Sequence, residues 1–469
     1  MPRLHPLWSS IIIKINRKVI KAMASLNESM YSSPSAKRAL NIHSKRIEIA
    51  ENVRKNSGKA PLTYEQKLAT AVCLENTRQH IKINESLNYG GAVQPSSIGQ
   101  YKRFALDMVS TLIPTMIAPE VVSTQAIDNR VGMINILEYQ YGSDKGSAKA
   151  GQTFASPLGY QGMNPYYTTA SVDGEVIANS TGGSAYLAYT PVKPDTLRVI
   201  DGTTGLVKQG VTLVDAFTGE VSGVADGDTA YYLYDNETVP VTAPQIKMNI
   251  KSLPIETKAR KLAAIWSFDA QQELAKEYGQ DMATLLATQA VAEIQQEIDN
   301  EITLDLYRIA NAGPQVSWSR IQPTGVNIVD HYDSFWNKIV EGSNQIFAAT
   351  RKCHANFMIC GLNVDAVLKC MRNFVASEDF TAIGPHFIGT LGGQIKCYVN
   401  PNFDADTFVL GYKGPNMLDA GYVYCPYLPI TTTGMISLAD DFGTRQGWAC
   451  IYGKKAINPR LYVKGQITG

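Results

Sequence analysis

The sequence predicts an α+β protein organised around one unusually long helix, with a mixed α/β region after it and a small all-β module inserted before it. Three observations carry that expectation. From Asp281 to Ala310, Met282, Leu285, Leu286, Val291, Ile294, Ile298, Ile302, Leu306 and Ile309 recur at helical spacing and form one apolar stripe, which Gly313-Pro314 ends. Between Asn356 and Tyr412, short apolar runs alternate with helical patterns, as in a mixed α/β domain. Between Ala170 and Val241, short alternating runs are separated by turn dipeptides, the texture of a small antiparallel domain.

Size and composition set mild bounds. At 469 residues the chain has room for about three domains. Lys plus Arg number 43 against 42 Asp plus Glu, so overall charge points neither to nucleic acid nor to a strongly acidic partner. The charge is uneven: Arg17-Lys18, Lys37-Arg38, Lys45-Arg46 and Arg54-Lys55 make the first 60 residues basic, opposed only by Glu28, Glu48 and Glu51. Seven cysteines without framework spacing fit free thiols in a reducing compartment. The apolar run Leu7–Ile13 is too short and interrupted to span a membrane, and no secretory cleavage site follows it. The basic start admits two further readings, an organellar transit peptide or a biological start at Met23.

Taken in order, Pro61 to Ile83 has a helical pattern with Leu68, Val72 and Leu74 among charges, and Ser29 to Ser35 reads as linker. Ser86 to Gln100 is rich in Gly, Ser and Asn and reads as an extended arm; a helix over Tyr101–Ile113 then stops at Pro114. Val131, Met133, Asn135, Leu137, Tyr139 and Tyr141 alternate along a strand, and the polar stretch from Ser143 to Gly151 reads as a flexible tip. In the all-β module, Thr196–Ile200, Thr212–Val214 and Ala230–Tyr234 are separated by Asp201-Gly202, Thr218-Gly219, Asp226-Gly227 and Asp235-Asn236. Its Tyr186, Tyr189, Tyr231, Tyr232 and Tyr234 make either a glycan- or protein-binding surface or, more plainly, rings packed on the sheet with hydroxyls at the rim. The chain returns as extended structure over Val241–Trp266, where Lys247, Asn249 and Lys251 alternate against Ile246, Met248 and Ile250. A short helix, Asp269–Tyr278, and the break at Gly279 lead into the long helix, roughly 30 residues and about 45 Å. Beyond it come a helix over Tyr332–Thr350, a buried strand Asn356–Cys360, a helix Asn363–Met371 and strands Gln394–Val399 and Thr407–Tyr412. Alternating runs from Ile436 onward, including Trp448–Gly453 and Leu461–Val463, supply a sheet to pack against the long helix.

Catalytic chemistry is poorly represented. The six histidines are scattered, and the adjacent pair Cys353-His354 is not the arrangement of a nucleophile and its base, which meet through space. Cys353, His354, Cys360 and Cys370 lack the short paired spacing of a structural zinc site, so buried thiols are expected. Gly389-Thr390-Leu391-Gly392-Gly393 runs into a strand where a phosphate cradle needs a helix, and reads as a turn. Glu293, Glu297 and Glu301 form a row with no Glu-x-x-His partner, so a solvated or intersubunit salt-bridging face is expected and not a metal site. The basic start lacks a nucleic-acid reading motif.

Several stretches carry a resemblance. Lys258-Ala259-Arg260-Lys261-Leu262, the Trp266-Ser267 pair and the helix containing Glu297-Ile298-Asp299-Asn300-Glu301 resemble the major capsid proteins of T-even-type myoviruses. Leu112-Ile113-Pro114 through Tyr139-Gln140-Tyr141-Gly142 upstream and Pro426-Tyr427-Leu428-Pro429 downstream continue the likeness in collinear order. The resemblance implies a Hong Kong 97-type capsid fold with a long spine helix, extended N-arm, hairpin loop and mixed α/β axial domain, here with a small inserted all-β domain. It divides the chain into a basic N-terminal segment (1–85), arm and first helix (86–130), hairpin loop and peripheral strands (131–169 and 241–268), inserted domain (170–240), spine region (269–312), axial domain (313–430) and terminal peripheral strands (431–469). Leu285, Leu286, Ile294, Ile298, Ile302 and Leu306 are then the packing residues of the spine.

A prohead protease of that family cuts after Glu with Leu or Ile two residues before it, a pattern present at Leu26-Asn27-Glu28, Ile49-Ala50-Glu51 and Ile83-Asn84-Glu85. Glu85 and Glu51 are the candidate cleavage positions, and the plain alternative is a solvated basic tail. The implied function is a shell subunit that assembles with itself into hexameric capsomers and with neighbouring capsomers. Its implied partners are a vertex protein, scaffold and prohead protease during assembly, and packaged double-stranded DNA without sequence preference. No cofactor, catalysis or membrane is implied, and the expected location is the virion, assembled in the host cytoplasm. Two other readings remain: the vertex paralogue of the same family, and a decoration or binding protein working through the inserted module. An enzyme would require a convergent polar cluster in the mixed α/β region.

Overall fold

A computed structural model describes residues 34–56, 61–87, 106, 109–110, 116–155, 164–178, 180–237, 243–310, 315–351, 353–377, 384–414, 420–433, 436–437 and 443–469. The Leu26-Asn27-Glu28 pattern, most of the serine-rich linker and most of the extended arm lie outside the described residues. The chain divides into two compact units, one formed by 1–134 with 253–469 and the other by 135–252.

The spine helix, Met282–Ala310, organises the larger unit. It starts where Gly279 takes a positive φ and the Asp281 carboxylate accepts hydrogen bonds from the Thr284 backbone N–H and hydroxyl, an N-cap by a residue suited to it. Its 29 residues correspond to about 43 Å. Ala287, Ala290, Ile294, Ile298, Ile302, Leu306 and Ala310 are buried on one stripe, while Leu286 is half-buried against the same core. Leu285, expected in the stripe, is instead 42% exposed. The buried line runs through Ala287 and Ala290, so Leu285 points away from it, and a count of apolar spacing does not distinguish the two faces of the first turn.

Helix Ile328–Thr350 and a seven-stranded sheet fill the region after the spine. In order across the sheet the strands are Gln315–Ser319, Tyr462–Thr468, Thr407–Gly411, Phe357–Cys360, Ile395–Val399, His386–Leu391 and Phe374–Ala376. Phe357–Cys360 is central and buried at all four positions, which is why it reads as an unbroken apolar run. It pairs parallel with Ile395–Val399 and antiparallel with Thr407–Gly411. Of the turn expected over Gly389–Gly393, Gly389 to Leu391 belong to strand His386–Leu391 and only Gly392-Gly393 turn, both with positive φ between antiparallel strands. A second sheet, of five strands, runs Ser123–Thr124, Tyr422–Thr432, Gly443–Ala456, Lys258–Ser267, with Ile436–Ser437 also paired to Gly443–Ala456. The spine touches both sheets.

Three helices at the amino-terminal side, Pro34–Ile42, Ser44–Asn56 and Tyr64–Leu87, belong to this unit. Cys73 and Leu74 are wholly buried in the same core as the spine stripe, and Asn76 donates to the carbonyls of Ile127 (2.9 Å) and Tyr427 (3.0 Å). The helix expected over Pro61–Ile83 is present within Tyr64–Leu87, and the alternative of a solvated tail does not describe residues 61–87, whose Cys73, Leu74 and Asn76 pack with the rest of the unit. Along helix Tyr64–Leu87, Val72, Leu74 and Ile81 are buried together with Ala69, Ala71 and Cys73. Of the helix expected over Tyr101–Ile113, Leu106, Val109 and Ser110 are described, and all three are helical.

The smaller unit contains the inserted module, two three-stranded sheets. One has the order Ser171–Val176, Thr229–Leu233, Arg198–Ile200 and the other Ser184–Tyr186, Glu220–Ser222, Thr212–Asp215. Val172, Val192, Val199, Val221, Ala230, Tyr232 and Tyr234 are part of its core. Most of the tyrosines follow the plain reading: Tyr232 and Tyr234 are buried and Tyr189 is half-buried against them, with Tyr232 donating to Glu175, while Tyr186 stays exposed. The polar stretch 143–151 is anchored, which corrects the expectation of a flexible tip. Lys145 is buried, donates to the carbonyls of Tyr167 (3.0 Å) and Thr169 (2.5 Å) and to the Tyr234 hydroxyl (3.2 Å), and lies over the rings of Tyr189 and Tyr234. Burial lowers its pKa. Gly146, at positive φ, lets the turn approach Asp173 so closely that a Cβ would lie 2.3 Å from that carbonyl oxygen.

Truncation of Ile298, which is fully buried, should destabilise the purified chain by about 2–5 kcal/mol as the Ile298→Ala variant. Leu285→Ala should leave the melting temperature of the unassembled chain nearly unchanged; a scanning-calorimetry comparison of the two variants distinguishes the buried from the exposed face.

Candidate assembly surfaces

The residue pairs that invite a catalytic reading do not converge. Cys353 is buried beside Thr350, whereas His354 is exposed and stacked on Phe347 at 4.6 Å between centroids. His331 is buried against Trp318, with Nε2 3.0 Å from the Ser319 carbonyl oxygen. Cys360 is buried within its strand and Cys370 is exposed, so the four residues considered for zinc do not share an environment. Among the described residues, no group of three or more His, Cys, Asp or Glu side chains could hold a metal ion, and no helix is long and apolar enough to cross a membrane.

Of the glutamate row on the spine, Glu293 is exposed, whereas Glu297 and Glu301 form ion pairs within the chain. Arg260, on the edge strand Lys258–Ser267, reaches Glu297 at 2.5 Å and Glu301 at 2.7 Å. Lys454, on the neighbouring strand, reaches Glu301 at 2.7 Å and Asp305 at 2.5 Å. Tyr452 accepts from Arg260 Nε and donates to Glu301, and Tyr422 donates to Asp305 at 2.8 Å. Arg260, Lys454, Glu297, Glu301 and Asp305 line a cleft of about 350 Å³ with Asn300, Leu304 and Arg308, its three acidic and three basic side chains balancing. Glu297 and Glu301 thus bind the helix to its own five-stranded sheet, while Glu293 is exposed. Burial alone would raise the Glu301 pKa, but hydrogen bonds from Lys454, Tyr452 and Arg260 outweigh it and hold the carboxyl at about 2.

Two buried polar contacts were not legible in the sequence. Asp299, inside the apolar stripe, accepts from the backbone N–H groups of Ile117 (3.1 Å) and Ala118 (2.9 Å) at the start of helix Ala118–Val121. Arg54 donates to Glu120 at 2.8 Å, and Tyr398 donates to the other Glu120 oxygen at 2.6 Å. A lone acid within an apolar stripe was the available signal for the first; the second joins residues too far apart in sequence to give one.

Several apolar side chains are left in solvent along two long strands. In strand Ile246–Glu256, Ile246, Met248 and Ile250 are each more than half exposed, and Val131 and Met133 are likewise exposed in strand Val131–Tyr141. Ile265, Phe268 and Tyr278 are also more than half exposed, and helix Phe268–Glu277 buries no residue fully. Of the candidate cleavage positions, Glu51 lies within helix Ser44–Asn56 with its carboxylate 2.7 Å from Lys67, and Glu85 lies in the last turn of Tyr64–Leu87.

The profile of the major capsid protein Gp23 family matches residues 98–467, most of the chain. The chain belongs to this family. It is 25% identical over 429 residues to the major capsid protein of Enterobacteria phage T4, covering 82% of this chain and 81% of that one. It is 23% identical over 372 residues to the major capsid protein of Vibrio phage KVP40, covering 70% of each. Among solved structures it is similar to a chain of Microbacterium phage Oxtober96, with TM-score 0.38 and 11% identity, covering 75% of this chain and 90% of that one.

Gp23-family proteins are structural rather than enzymatic, and the chain is a phage major capsid subunit and a component of the virion head. The family match takes in the spine, both sheets and the ionic belt, and begins after the amino-terminal helices.

Acid should loosen the belt. The folded-state pKa of Glu301, about 2, lies below its ordinary 4.5, so its contribution is present above about pH 4.5 and is lost as pH falls toward 2. In an acid-unfolding series followed by near-ultraviolet circular dichroism, Glu301→Gln should be less stable than the unchanged chain at pH 7. The difference between the two should shrink between pH 4.5 and 2.

Proposed function

We propose that this capsid subunit assembles into hexameric capsomers that join into an icosahedral or prolate head around double-stranded DNA. The single observation that carries the reading is the row of exposed apolar side chains, Ile246, Met248 and Ile250, on a strand of the loop-bearing segment. A subunit that worked alone would gain nothing by leaving them in water, and apolar surface removed from water stabilises by about 25 cal/mol per Å². In this reading the strands of 131–169 and 241–268 form the hairpin loop that lies across a neighbouring copy. Residues 313–430 surround the capsomer centre, and the spine residues Ile294, Ile298, Ile302 and Leu306 keep each copy rigid.

The contact is heterologous, one patch on a different patch of the next copy, so repetition closes a ring. Each contact is modest and the shell's strength comes from their number. Scaffold and a prohead protease act during assembly in the host cytoplasm, and a vertex protein occupies the five-fold positions. Packaged DNA touches the inner surface without sequence preference. The vertex paralogue would share the same elements, and copy number in virions separates the two.

The double variant Met248→Asp/Ile250→Asp should keep the melting temperature of the unassembled chain within about 2 °C, because charges at exposed positions cost little. It should give no closed particles by negative-stain microscopy under conditions where the unchanged chain does. Particles of normal size from this variant would overturn the assignment of the ribbon as the intersubunit contact.

A further inference from the structure

We propose that Lys145 is the positioning residue of the assembly ribbon: acting through Tyr167 and Gln245, its buried ammonium fixes where the strand carrying Ile246, Met248 and Ile250 begins relative to the inserted module. The assembly half of this inference rests on the reading of that strand as the intersubunit contact. The positioning half concerns the unassembled chain alone.

The turn 142–151 is made of small and polar residues, yet Lys145 within it is 2% exposed. An ammonium carries three N–H donors, and here each has an acceptor: the Thr169 carbonyl at 2.5 Å, the Tyr167 carbonyl at 3.0 Å and the Tyr234 hydroxyl at 3.2 Å. The rings of Tyr234 and Tyr189 lie 5.1 and 5.7 Å from Nζ. No carboxylate is among these partners, and burial opposes the charge. A buried charge that loses its acceptors is costly, so the turn closes on the module in one arrangement, where apolar contact would tolerate several. Two bonds flank the ammonium, from the Tyr189 hydroxyl to the Asp144 carbonyl (2.6 Å) and from the Ser147 N–H to the Asp173 carbonyl (2.7 Å).

One of the carbonyls that Lys145 holds belongs to Tyr167, and the far end of Tyr167 reaches the ribbon. Its ring is buried with Ala148 and Tyr141, 4.4 Å from the Tyr141 ring between centroids, and its hydroxyl donates to the Gln245 carbonyl at 2.8 Å. The same carbonyl accepts from the Gly142 N–H at 2.6 Å, and the Gln245 N–H donates to the Ser143 hydroxyl at 3.1 Å. A Cβ on Gly142 would lie 2.9 Å from the Gln245 carbonyl oxygen, so this close approach of two backbones needs glycine. Gln245 is therefore gripped through both its N–H and its carbonyl, one residue before strand Ile246–Glu256 begins. Every link from module to ribbon, from ammonium to carbonyl and from ring hydroxyl to carbonyl, is a directional bond, so a shift at Lys145 is passed on to the strand.

Amide hydrogen exchange, followed by mass spectrometry on the purified, unassembled full-length chain, tests the positioning half. Lys145→Met keeps the stem and removes the charge; it should exchange about 10-fold faster over 142–152 and 244–250 while the spine helix keeps its protection. Lys149→Met, an exposed lysine of the same turn, should change neither stretch. In a Tyr167→Phe background, Lys145→Met should add nothing at 244–250, because the route is already cut, but should still loosen 142–152. That non-additivity separates positioning from a general loss of packing. Unaltered exchange at 244–250 in Lys145→Met, or an equal effect from Lys149→Met, would overturn the inference. If Lys145→Met does not fold, acetylation of the unchanged chain decides: Lys145 should react about 100-fold more slowly than Lys149, and equal rates would overturn it. Under conditions where the unchanged chain closes, Lys145→Met should give irregular particles by negative-stain microscopy; uniform closed ones would overturn the assembly half. Failure of the ribbon reading itself is seen separately, in the Met248→Asp/Ile250→Asp variant, and leaves the exchange result standing.

Discussion

Burial of one stripe of the spine helix is the constraint on which the larger unit depends. Most of a helix's stability in a protein comes from packing its apolar face rather than from intrinsic propensity. Here Ile294, Ile298, Ile302 and Leu306 supply that packing, and both the five-stranded and the seven-stranded sheet bear on the same helix. Polar groups at the stripe's edge fix orientation. Asp299 caps the helix at Ala118, and Asn400 donates to Thr303 at 2.7 Å and Asn300 at 3.1 Å. The apolar stripe supplies the affinity between layers; these bonds permit one arrangement of them.

The ionic belt complements that core. Surface ion pairs taken singly contribute little, but Arg260 and Lys454 share Glu301 with Tyr452 and form a network across a helix and two strands. Such a network is directional where a hydrophobic face is not, so it sets the angle at which the sheet meets the spine. A shell subunit needs that angle to be the same in every copy, since small angular errors accumulate over many repeated copies. The smaller unit applies the same economy locally, with Lys145 satisfied by two carbonyls and a hydroxyl inside a tyrosine cluster.

Much of this was legible in the residues. Regular apolar spacing identified the spine, the run Asn356–Cys360 identified a central strand, and the glycines of 389–393 marked a turn that forms at Gly392-Gly393. Other features were misread for identifiable reasons. Ser143–Gly151 has the composition of a mobile tip, yet Lys145 and Ala148 are buried, because a lysine stem can be covered when carbonyls take its ammonium. The amino-terminal helices can be taken for a solvated basic tail because their buried Leu74, Val72 and Ile81 sit among charged residues and polar ones such as Thr70, Thr77 and Asn76 that are buried with them.

By itself, the sequence determined where the chain is regular: the long helix, the alternating strands and the turns of the inserted module follow from periodicity and from glycine and asparagine, which act within a few residues. The direction each surface faces was decided only by the tertiary structure. Whether Glu301 pairs within the chain or outside it, whether Leu285 is covered, and whether Arg54 meets Glu120 depend on contacts between residues far apart in sequence. Local spacing carries no information about those distances, because burial and ion pairing are properties of the neighbours that folding brings into range.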